Sequence, residues 1–433
     1  MTPAQMKRVD RALTEYLEFL TEGMGRPERR RALAWYLTGL LLEGERKTVV
    51  SMAGRLVDDE TEIEAMRQRL QQCVTISSWA DTEIRRRVAQ KFEEDLAPEA
   101  FVFDDTGFPK KGLHSVGVAR QYSGTLGRVD NCQVATSLHV ATDQTSACIG
   151  MRLYLPETWA SDIGRRRRAG VPDDVVFKRK WELSIELLDE ALSWGIAPRL
   201  ALADSGYGDS TEFRDALDAR GCRYLVGLAG DRLAWPPGSH PRPPRVMPGK
   251  PGPRRTVHRD GNWKPKPIAE IAKSLDYRSY SCPDGKGGVK AGLFAFTRVH
   301  LAERRTKGRP PSEEMWLIGE HRPGNNEHKF YVCNLPATTT KHELARIVKL
   351  RWRVERDYQE LKGEIGLDHF EGRTWRGFHH HATLCAAAHG FLALQRRLFP
   401  PADLSLDLAD GAAPNSAAPA ASHRDVPALS PAV

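Results

Sequence analysis

Two apolar runs, each ending in aspartate beside small residues, constrain the fold of this chain more than any other feature. They are PEAFVFDDTGFPKKG, which contains Asp104 and Asp105, and PRLALADSGYG, which contains Asp204. A short apolar run closed by Gly, Asp and Ser is typical of a buried β-strand followed by a turn. The sequence therefore predicts two strands whose ends carry carboxylates.

Residues 99–229 alternate between strand-like and helix-like patterns. Strands are predicted at FVFDD, CQVATSLHVA and ACIGMRLYL, and the turn TDQTS predicts a hairpin between the last two. Helical spacing of apolar residues in FKRKWELSIELLDEALSWG predicts a helix that crosses back over the sheet. RLALAD, TEFRDALDARG and CRYLVGLAG then predict a strand, a helix and a strand. The order β-β-β-α-β-α-β is that of a ribonuclease-H-like sheet, so the predicted fold class is α/β, with a mixed sheet flanked by helices and sites gathered at strand ends.

A third carboxylate, Glu355, comes from the stretch between Thr338 and Trp375, which is predicted to be helical. Thr340 and Glu343 have the spacing of a capping box, which predicts that a helix begins there, and Gly366 predicts its end. An apolar stripe at helical spacing runs between these points and consists of Leu344, Ile347, Val354, Leu361 and Ile365.

A polar stripe runs beside the apolar one. Arg351, Glu355, Tyr358 and Lys362 recur at steps of four, three and four residues, so they share one helix face. Taken alone, this pattern is that of an exposed salt-bridge ladder, worth about 0.2–0.5 kcal/mol per pair. The upstream strands favour another interpretation, because two strand-end aspartates and a helical glutamate are what a carboxylate-bound pair of magnesium ions requires.

Residues 1–98 form a helical N-terminal region. A sequence rich in Leu, Ala, Glu and Arg, with few strand formers, predicts four or five helices. RRRALAWYLTGLLLEG and ERKTVVSMAGRL, with almost no gap between them, predict either a helix-turn-helix that enters a DNA groove or an ordinary helical hairpin. Basic residues near the turns, including Arg46 and Lys47, favour contact with DNA phosphates.

The predicted α/β domain spans residues 99–399. One segment within it and one segment after it have a different sequence character. Residues 231–335 interrupt the domain with a Pro-, Gly- and Arg-rich track, which is either an extended path along DNA or a solvated linker. Strand-like pieces follow at GLFAFTRVHLA, EMWLIGEH and KFYVCNL, so we expect a strand-rich insertion. Residues 400–433, rich in Ala, Pro and Ser without apolar periodicity, predict a disordered tail.

The composition favours a polyanionic partner and a reducing compartment. The formal net charge is +8, although 64 basic against 56 acidic residues is an excess that many proteins without a nucleic-acid partner share. Seven scattered cysteines without a CxxC pair predict free buried thiols rather than disulfides or a zinc site. The start of the chain has no apolar signal region and no run of 18 apolar residues occurs, which predicts neither export nor a membrane span. We expect a cytoplasmic, nucleoid-associated protein.

Four segments together resemble one known family: DDTGFPKKGLHSVGVARQYSGTLGRVDNCQ, ALADSGYGD, WLIGEH and RWRVERDYQELKGEIGLDHFEGRTWRGFHHH. Over roughly residues 30–399 the chain resembles bacterial insertion-sequence transposases of the seven-oh-one family. These are kin to the insertion-sequence-four group, whose enzymes carry an Asp, Asp, Glu triad on a ribonuclease-H-like fold. In that group's signature helix, Tyr, Arg, Glu and Lys follow at steps of three, four and seven. Arg351, Glu355 and Lys362 match, whereas Val348 stands at the tyrosine position.

The resemblance implies roles for individual residues. Asp204 would be the second metal ligand and Glu355 the third. The first would be Asp104 or Asp105, because neighbours on a strand face opposite sides. Asp105 is preferred, since the related group tends to place a threonine after the catalytic aspartate, as Thr106 stands here. The implied cofactor is a pair of Mg²⁺ ions, for which Mn²⁺ can substitute.

The implied reaction is transposition of a mobile DNA element by two-metal phosphoryl transfer. Water would cleave the element's ends to free a 3′-OH that then attacks target DNA, while Arg351 and Lys362 neutralise phosphate oxygens. Lys110 and Lys111 either hold the same backbone or lie in a solvated turn. The implied partners are double-stranded DNA, both element ends and target, and a second copy of the chain in a synaptic homodimer, without a membrane.

Two other classes of function are compatible with parts of the sequence. DDTG is similar to the start of haloacid-dehalogenase-like phosphohydrolases, which use an aspartyl nucleophile. That class predicts a helix directly after the DDTG strand. A non-catalytic DNA-binding protein derived from a transposase would keep the fold, although the retained acids and cations argue against such decay.

Overall fold

Helices fill the N-terminal region up to the first strand. The computed structural model describes residues 3–242, 258–283, 289–302 and 311–398. Within that part of the chain, the region before residue 99 contains five α-helices and a 3-10 turn at Glu60–Glu62, as the sequence predicts. The helices are α1 (Pro3–Thr21), α2 (Pro27–Leu41), α3 (Val49–Leu56), α4 (Ile63–Thr75) and α5 (Asp81–Leu96).

The link between α2 and α3 is longer than predicted. Residues 42–48 separate the two helices, where almost no gap was expected. Thr48 caps α3, because its hydroxyl accepts a hydrogen bond from the N–H of Ser51 at 3.2 Å. Whether this pair enters a DNA groove or is an ordinary helical hairpin stays a prediction.

The central sheet begins with six strands of mixed direction. They are β1 (Ala100–Pro109), β2 (Ala119–Ser123), β3 (Arg128–Ala141), β4 (Ser146–Leu153), β5 (Leu200–Ala203) and β6 (Tyr224–Leu228). β3 runs antiparallel to β1, β2 and β4, whereas β5 is parallel to both β1 and β6. The predicted hairpin at TDQTS is confirmed, because Ala141 pairs with Ser146 across the turn. β2 was missed because its sequence, ARQYS, contains no apolar run.

Helices cover this part of the sheet. They are α6 (Glu157–Ala160), α7 (Ile163–Ala169), α8 (Lys180–Ser193), α9 (Ser205–Gly208) and α10 (Thr211–Asp218). α8 is the predicted crossing helix, and its apolar residues Ile185 and Leu188 are buried. The α/β class, with a large mixed sheet flanked by helices, is therefore confirmed.

The strand-rich insertion continues the central sheet beyond β6. Its described elements are β7 (Leu233–Trp235), β8 (Lys266–Pro267), α11 (Ile268–Lys273), β9 (Arg278–Pro283), β10 (Val289–Leu301), β11 (Met315–Arg322) and β12 (Glu327–Cys333). β12 pairs with β6, and β11, β10, β7 and β8 follow in turn, while β9 pairs with β10. The strands predicted at GLFAFTRVHLA, EMWLIGEH and KFYVCNL are confirmed. Residues 243–257 of the Pro-rich track and the predicted tail at 400–433 lie outside the described residues.

Two helices replace the single helix predicted after Thr340. The cap is confirmed, because the Thr340 hydroxyl accepts from the N–H of Glu343 at 3.2 Å. α12 (Lys341–Leu350) ends before Arg351, α13 (Arg353–Gly363) begins after Trp352, and α14 (Trp375–Leu398) follows. Gly366 adopts φ +79°, a left-handed conformation that favours glycine. The predicted apolar stripe is buried throughout, at Leu344, Ile347, Val354, Leu361 and Ile365.

Apolar clusters cover both faces of β1. Val102 shares a cluster with Leu344 and Ile347 of α12. Phe103 belongs to a second cluster, in which its ring meets Phe213 of α10 edge-on at 5.5 Å. Since successive strand residues face opposite sides, β1 presents one face to α12 and the other to α8 and α10.

The N-terminal helices share the second cluster with α14. The hydroxyl of Tyr16 donates to the carbonyl oxygen of Ala387 at 3.0 Å, and the hydroxyl of Tyr36 lies 2.9 Å from Nδ1 of His381. The predicted boundary at residue 98 thus falls within a continuous core, and the domain boundaries stay predictions. The seven cysteines are free and buried, as expected. No helix in the described ranges has the length and hydropathy needed to cross a bilayer.

Candidate active site

The predicted carboxylates line one cleft beside the paired strands β1 and β5. β1 is parallel to β5, with Phe103 opposite Ala203, so Asp104 and Asp204 follow at neighbouring positions. The cleft has a volume of about 880 Å³, and Glu355 also lines it. Adjacency of the two aspartate strands is confirmed. Asp104 lies inside β1 rather than at its end, because the strand runs on to residue 109.

Asp104 and Asp105 point to opposite faces of the sheet. Asp104 is on the face of Val102, which packs against α12 and α13. Asp105 is on the α8 face, where its Oδ2 forms an ion pair with Nζ of Lys180 at 2.6 Å, and both of these residues also line the cleft. Asp104 is therefore the aspartate on the same face as the Glu355 helix, although the sequence favoured Asp105. Lys180 was not predicted, because nothing local links it to a carboxylate 75 residues earlier.

Burial and like charge act together on two of the carboxylates. Burial raises the pKa of Asp104 to about 7, against the opposing charge of Arg351 and with a further increase from Asp204 and Asp105. Burial also raises the pKa of Asp204, again opposed by Arg351 and increased by Asp105. The backbone N–H of Gly206 donates to Oδ1 of Asp204 at 2.9 Å. The raised pKa values show that two neighbouring carboxylates are not easily ionised together. Additional positive charge at this site would stabilise their ionised forms.

Arg351 lies between Asp104 and Glu355. Its Nη1 is 3.6 Å from Oδ2 of Asp104, and its Nη2 donates to Oε1 of Glu355 at 2.9 Å. The side chain of Arg351 is 11% exposed and that of Glu355 is 44% exposed. Because Arg351 is buried, the pair is not part of an exposed salt-bridge ladder. Within the described residues, no group of three or more His, Cys, Asp or Glu side chains is close enough to hold a metal ion. The predicted convergence of three carboxylates is absent from this arrangement, in which Arg351 bridges Asp104 and Glu355.

The predicted lysines differ in their surroundings. Nζ of Lys362 lines the cleft and donates to the carbonyl oxygen of Gly107 at 2.9 Å, and burial lowers its pKa. Nζ of Lys110 donates to the carbonyl oxygen of Phe370 at 2.9 Å, outside the cleft lining. Lys111 is exposed.

Arg46 and Lys47, the two basic residues near the α2–α3 turn that were predicted to contact DNA, differ in their exposure to solvent. Arg46 is exposed, whereas Lys47 is 5% exposed and its Nζ donates to the carbonyl oxygen of Leu42. Burial lowers the pKa of Lys47. A contact between Lys47 and a DNA phosphate would require this internal hydrogen bond to break, so Arg46 is the better placed of the two. The DNA-binding roles of all these basic residues stay predictions.

Close approach of α9 to β6 positions Asp204, and this contact gives a stability prediction. A Cβ at Gly208 would lie 2.0 Å from the carbonyl oxygen of Gly227. Gly208→Ala should therefore destabilise the fold by about 1–3 kcal/mol, as overpacking does, measured by chemical denaturation. Gly54→Ala is the control, because a Cβ there meets nothing within 4 Å, and it should leave stability unchanged or slightly higher. Equal stability of the two variants would contradict the packing described here.

The chain matches two related protein families. Residues 19–286 match a family described as DDE superfamily endonuclease, and residues 182–391 match one described as transposase DDE domain. The chain belongs to the DDE endonuclease superfamily. The two matches together cover the β1 and β5 aspartates and the glutamate of α13.

The individual proteins that this chain resembles share a low sequence identity with it. A probable transposase for insertion sequence element IS701 of Microchaete diplosiphon is 28% identical over 200 residues, which are 46% of this chain and 48% of the relative. The match thus spans about half the length of that curated relative. Among solved structures, a cryo-EM structure of the piggyBac transposase synaptic complex with hairpin DNA has a TM-score of 0.33 and 10% identity, covering 90% of this chain and 80% of that one.

Proposed function

We propose that this chain is a DDE transposase that cleaves the ends of a mobile DNA element and joins the freed 3′-OH to target DNA. The observation that carries the proposal is the cleft lined by Asp104, Asp204 and Glu355, in which the buried guanidinium of Arg351 contacts Asp104 and Glu355. Membership of the DDE endonuclease superfamily supports the same reaction class.

The proposed fold is ribonuclease-H-like. Its support is the strand order β3-β1-β5-β6, in which β3 is antiparallel to β1 and the next two strands are parallel to it. The haloacid-dehalogenase-like alternative predicted a helix directly after the DDTG strand. β1 is instead followed by β2 and β3, which argues against an aspartyl-nucleophile phosphohydrolase.

The oxygen donors of the cleft have the chemistry that a divalent metal prefers, although within the described residues the three carboxylates are not grouped closely enough to hold one while Arg351 bridges Asp104 and Glu355. Asp104 and Asp204 are oxygen ligands of the kind that Mg²⁺ prefers, and their raised pKa values indicate that added positive charge would relieve their repulsion. We propose that Asp104, Asp204 and Glu355 would hold two Mg²⁺ ions, with Mn²⁺ able to substitute. Bound ions of this kind activate an attacking oxygen and stabilise a leaving oxygen.

The chain's own cations supply the rest of the proposed chemistry. Arg351 carries a planar fork that can grip two oxygens of one phosphate, and its burial strengthens such a contact. Lys362, also in the cleft, would neutralise a second phosphate. Tight positioning by these groups holds the scissile bond in line for attack.

The proposed partners follow from this chemistry. Double-stranded DNA would supply both the element ends and the target, and a synaptic homodimer would bring two ends together. The net charge of +8 is compatible with a nucleoid-associated protein.

A cleavage assay tests the proposal. The full chain is incubated with Mg²⁺ and a plasmid carrying the DNA that flanks this reading frame. Strand breaks with 3′-OH ends at matched inverted repeats are expected. Binding of that plasmid without any cleavage, in Mg²⁺ or Mn²⁺, would instead favour a non-catalytic protein derived from a transposase.

Arg351→Lys should reduce strand transfer by about tenfold or more. The substitution keeps the positive charge but loses the bidentate fork, and a hydrogen bond to a charged group is worth about 1.5–3 kcal/mol. Joining of precleaved ends to target DNA is the measurement, taken with the melting temperature.

Arg346→Lys is the matched control. Arg346 lies on α12 and pairs with Glu99, Asp143 and Glu343, outside the cleft lining. It should leave strand transfer unchanged. If Arg351→Lys transfers strands as fast as this control, Arg351 acts only in the fold.

A further inference from the structure

A buried chain of polar side chains joins β3 to α13 directly behind the cleft. Nδ1 of His139, which is fully buried, lies 2.6 Å from Oδ2 of Asp357. The other oxygen of Asp357 accepts from the hydroxyl of Ser146 at 2.6 Å. Nε2 of His139 lies 3.0 Å from Oγ of Ser137, and that oxygen lies 2.6 Å from the hydroxyl of Tyr358. The chain thus runs from Asp357 through His139 and Ser137 to Tyr358.

The buried ion pair between Nδ1 of His139 and Oδ2 of Asp357 gives this series of hydrogen bonds a direction, because a carboxylate at 2.6 Å stabilises the protonated imidazole. Burial opposes the charge, yet Cys148 and the hydrogen bond to Asp357 raise the pKa of His139 to about 10. A protonated histidine donates from both ring nitrogens, here to Asp357 and to Ser137. Because the oxygen of Ser137 then accepts from His139, its own proton can be donated to the oxygen of Tyr358. The phenolic proton of Tyr358 is left to point elsewhere.

Tyr358 contacts Ser137 through its hydroxyl, and its side chain also faces the cleft. Tyr358 lines the cleft together with Asp104, and Ser137 is the register partner of Asp104 on β3. A tyrosine hydroxyl has an ordinary pKa of about 10, so the phenol of Tyr358 is protonated at neutral pH. Tyr358 is therefore a neutral donor beside the carboxylates, where Arg351 and Lys362 are charged ones.

We propose that Tyr358 is a further substrate-binding residue, whose hydroxyl donates a hydrogen bond to a non-bridging oxygen of the phosphodiester in the cleft. Ser137, His139 and Asp357 are positioning residues that orient this hydroxyl. The inference rests on the proposed function, because it takes the bound group to be a DNA phosphate. A preorganised donor stabilises charge that develops on the phosphate more than water would, and linked hydrogen bonds strengthen one another.

Tyr358→Phe tests the role, because it keeps the ring and removes only the hydroxyl. The single-turnover rate of plasmid cleavage should fall by about tenfold to a hundredfold, at or below the lower end of the range seen when one such donor is removed. Plasmid affinity should change by less than about threefold, because the phosphate backbone contacts that dominate affinity remain. Ser137→Ala keeps the phenol but breaks the chain, and should lower the rate in the same direction by a smaller factor.

Tyr16→Phe is the matched control for stability. Its hydroxyl is also buried and hydrogen-bonded, to the carbonyl oxygen of Ala387, but it is far along the chain from the cleft residues and does not line the cleft. It should cleave at the wild-type rate with a melting temperature similar to that of Tyr358→Phe.

The possible outcomes separate this role from the proposed function. Tyr358→Phe that cleaves as fast as wild type overturns the role of Tyr358 and leaves the proposed function standing. If Tyr358→Phe does not fold, Ser137→Ala decides, and a wild-type rate in that variant overturns the proposed chain. A wild-type protein that cuts neither plasmid strand counts against the proposed function itself.

Discussion

Asp104→Asn should abolish DNA cleavage, whereas Asp105→Asn should leave measurable activity. Asp104 lies on the sheet face that packs against α12 and α13, so it is placed to act as a metal ligand together with Glu355, while Arg351 lies 3.6 Å from its Oδ2. Asp105 is already paired with Lys180 at 2.6 Å on the opposite face. Loss of a direct metal ligand should lower the cleavage rate by more than about a hundredfold. Loss of a residue that only contacts such a ligand typically lowers activity by about 10–100-fold.

The two variants should also differ from ordinary destabilised mutants. The raised pKa of Asp104 means that its ionised form is disfavoured in the folded protein, so Asp104→Asn should not lower the melting temperature. Asp218→Asn is the control, because Asp218 is an exposed aspartate that accepts a hydrogen bond from Asn334 at 2.7 Å and does not line the cleft. The cleavage rate of this control should equal that of wild type. An inactive Asp105→Asn beside an active Asp104→Asn would restore Asp105 as the first ligand.

The sequence predicted the strands well because their signals are local. Buried runs such as FVFDD and RLALAD end in Gly, Asp and Ser, and a hairpin turn joins β3 to β4, so each element could be found within ten or so residues. The insertion strands were found in the same way. Their continuation of the central sheet was not predicted, because pairing of β12 with β6 depends on contacts between residues about a hundred positions apart.

The candidate site was predicted in its members but not in its geometry. Arg351, Glu355, Tyr358 and Lys362 were identified by helical spacing, which requires only one continuous helix. The structure breaks that helix at Arg351, which lies between α12 and α13 and contacts Asp104. The choice between adjacent aspartates depends on which helix packs on which face of β1, and no local pattern encodes that.

The buried chain behind the cleft had no signal in the sequence. His139 and Asp357 are 218 residues apart, and each is a single polar residue in an otherwise apolar or charged neighbourhood. A lone buried histidine is indistinguishable in sequence from one that merely satisfies its hydrogen bonds. Such groups become visible only when strand register and helix packing place them together, as the pairing of Asp104 with Ser137 does here.

Glu355→Ala should abolish cleavage of element-end DNA while leaving DNA binding largely intact. Metal chemistry and phosphate affinity are separate contributions, since affinity comes from Lys and Arg contacts along the backbone. If Glu355 were only the partner of Arg351 in a surface pair, its removal would cost at most about 1 kcal/mol of stability and would not affect chemistry. The measurements are the single-turnover cleavage rate and the plasmid affinity at one fixed salt concentration.

Glu355→Gln and Glu364→Ala sharpen the interpretation of this result. Glu355→Gln keeps the side-chain length and a hydrogen-bond acceptor for Arg351 but removes the charge that a metal ligand needs, so it should be nearly as inactive as Glu355→Ala. Glu364 is an exposed glutamate just beyond α13 and outside the cleft lining, so Glu364→Ala should cleave at the wild-type rate. If Glu355→Ala loses binding and cleavage in equal measure, Glu355 holds the fold of the DNA-binding surface. If Glu355→Gln keeps wild-type cleavage, the carboxylate charge is not used, and the third ligand must be sought elsewhere in the cleft.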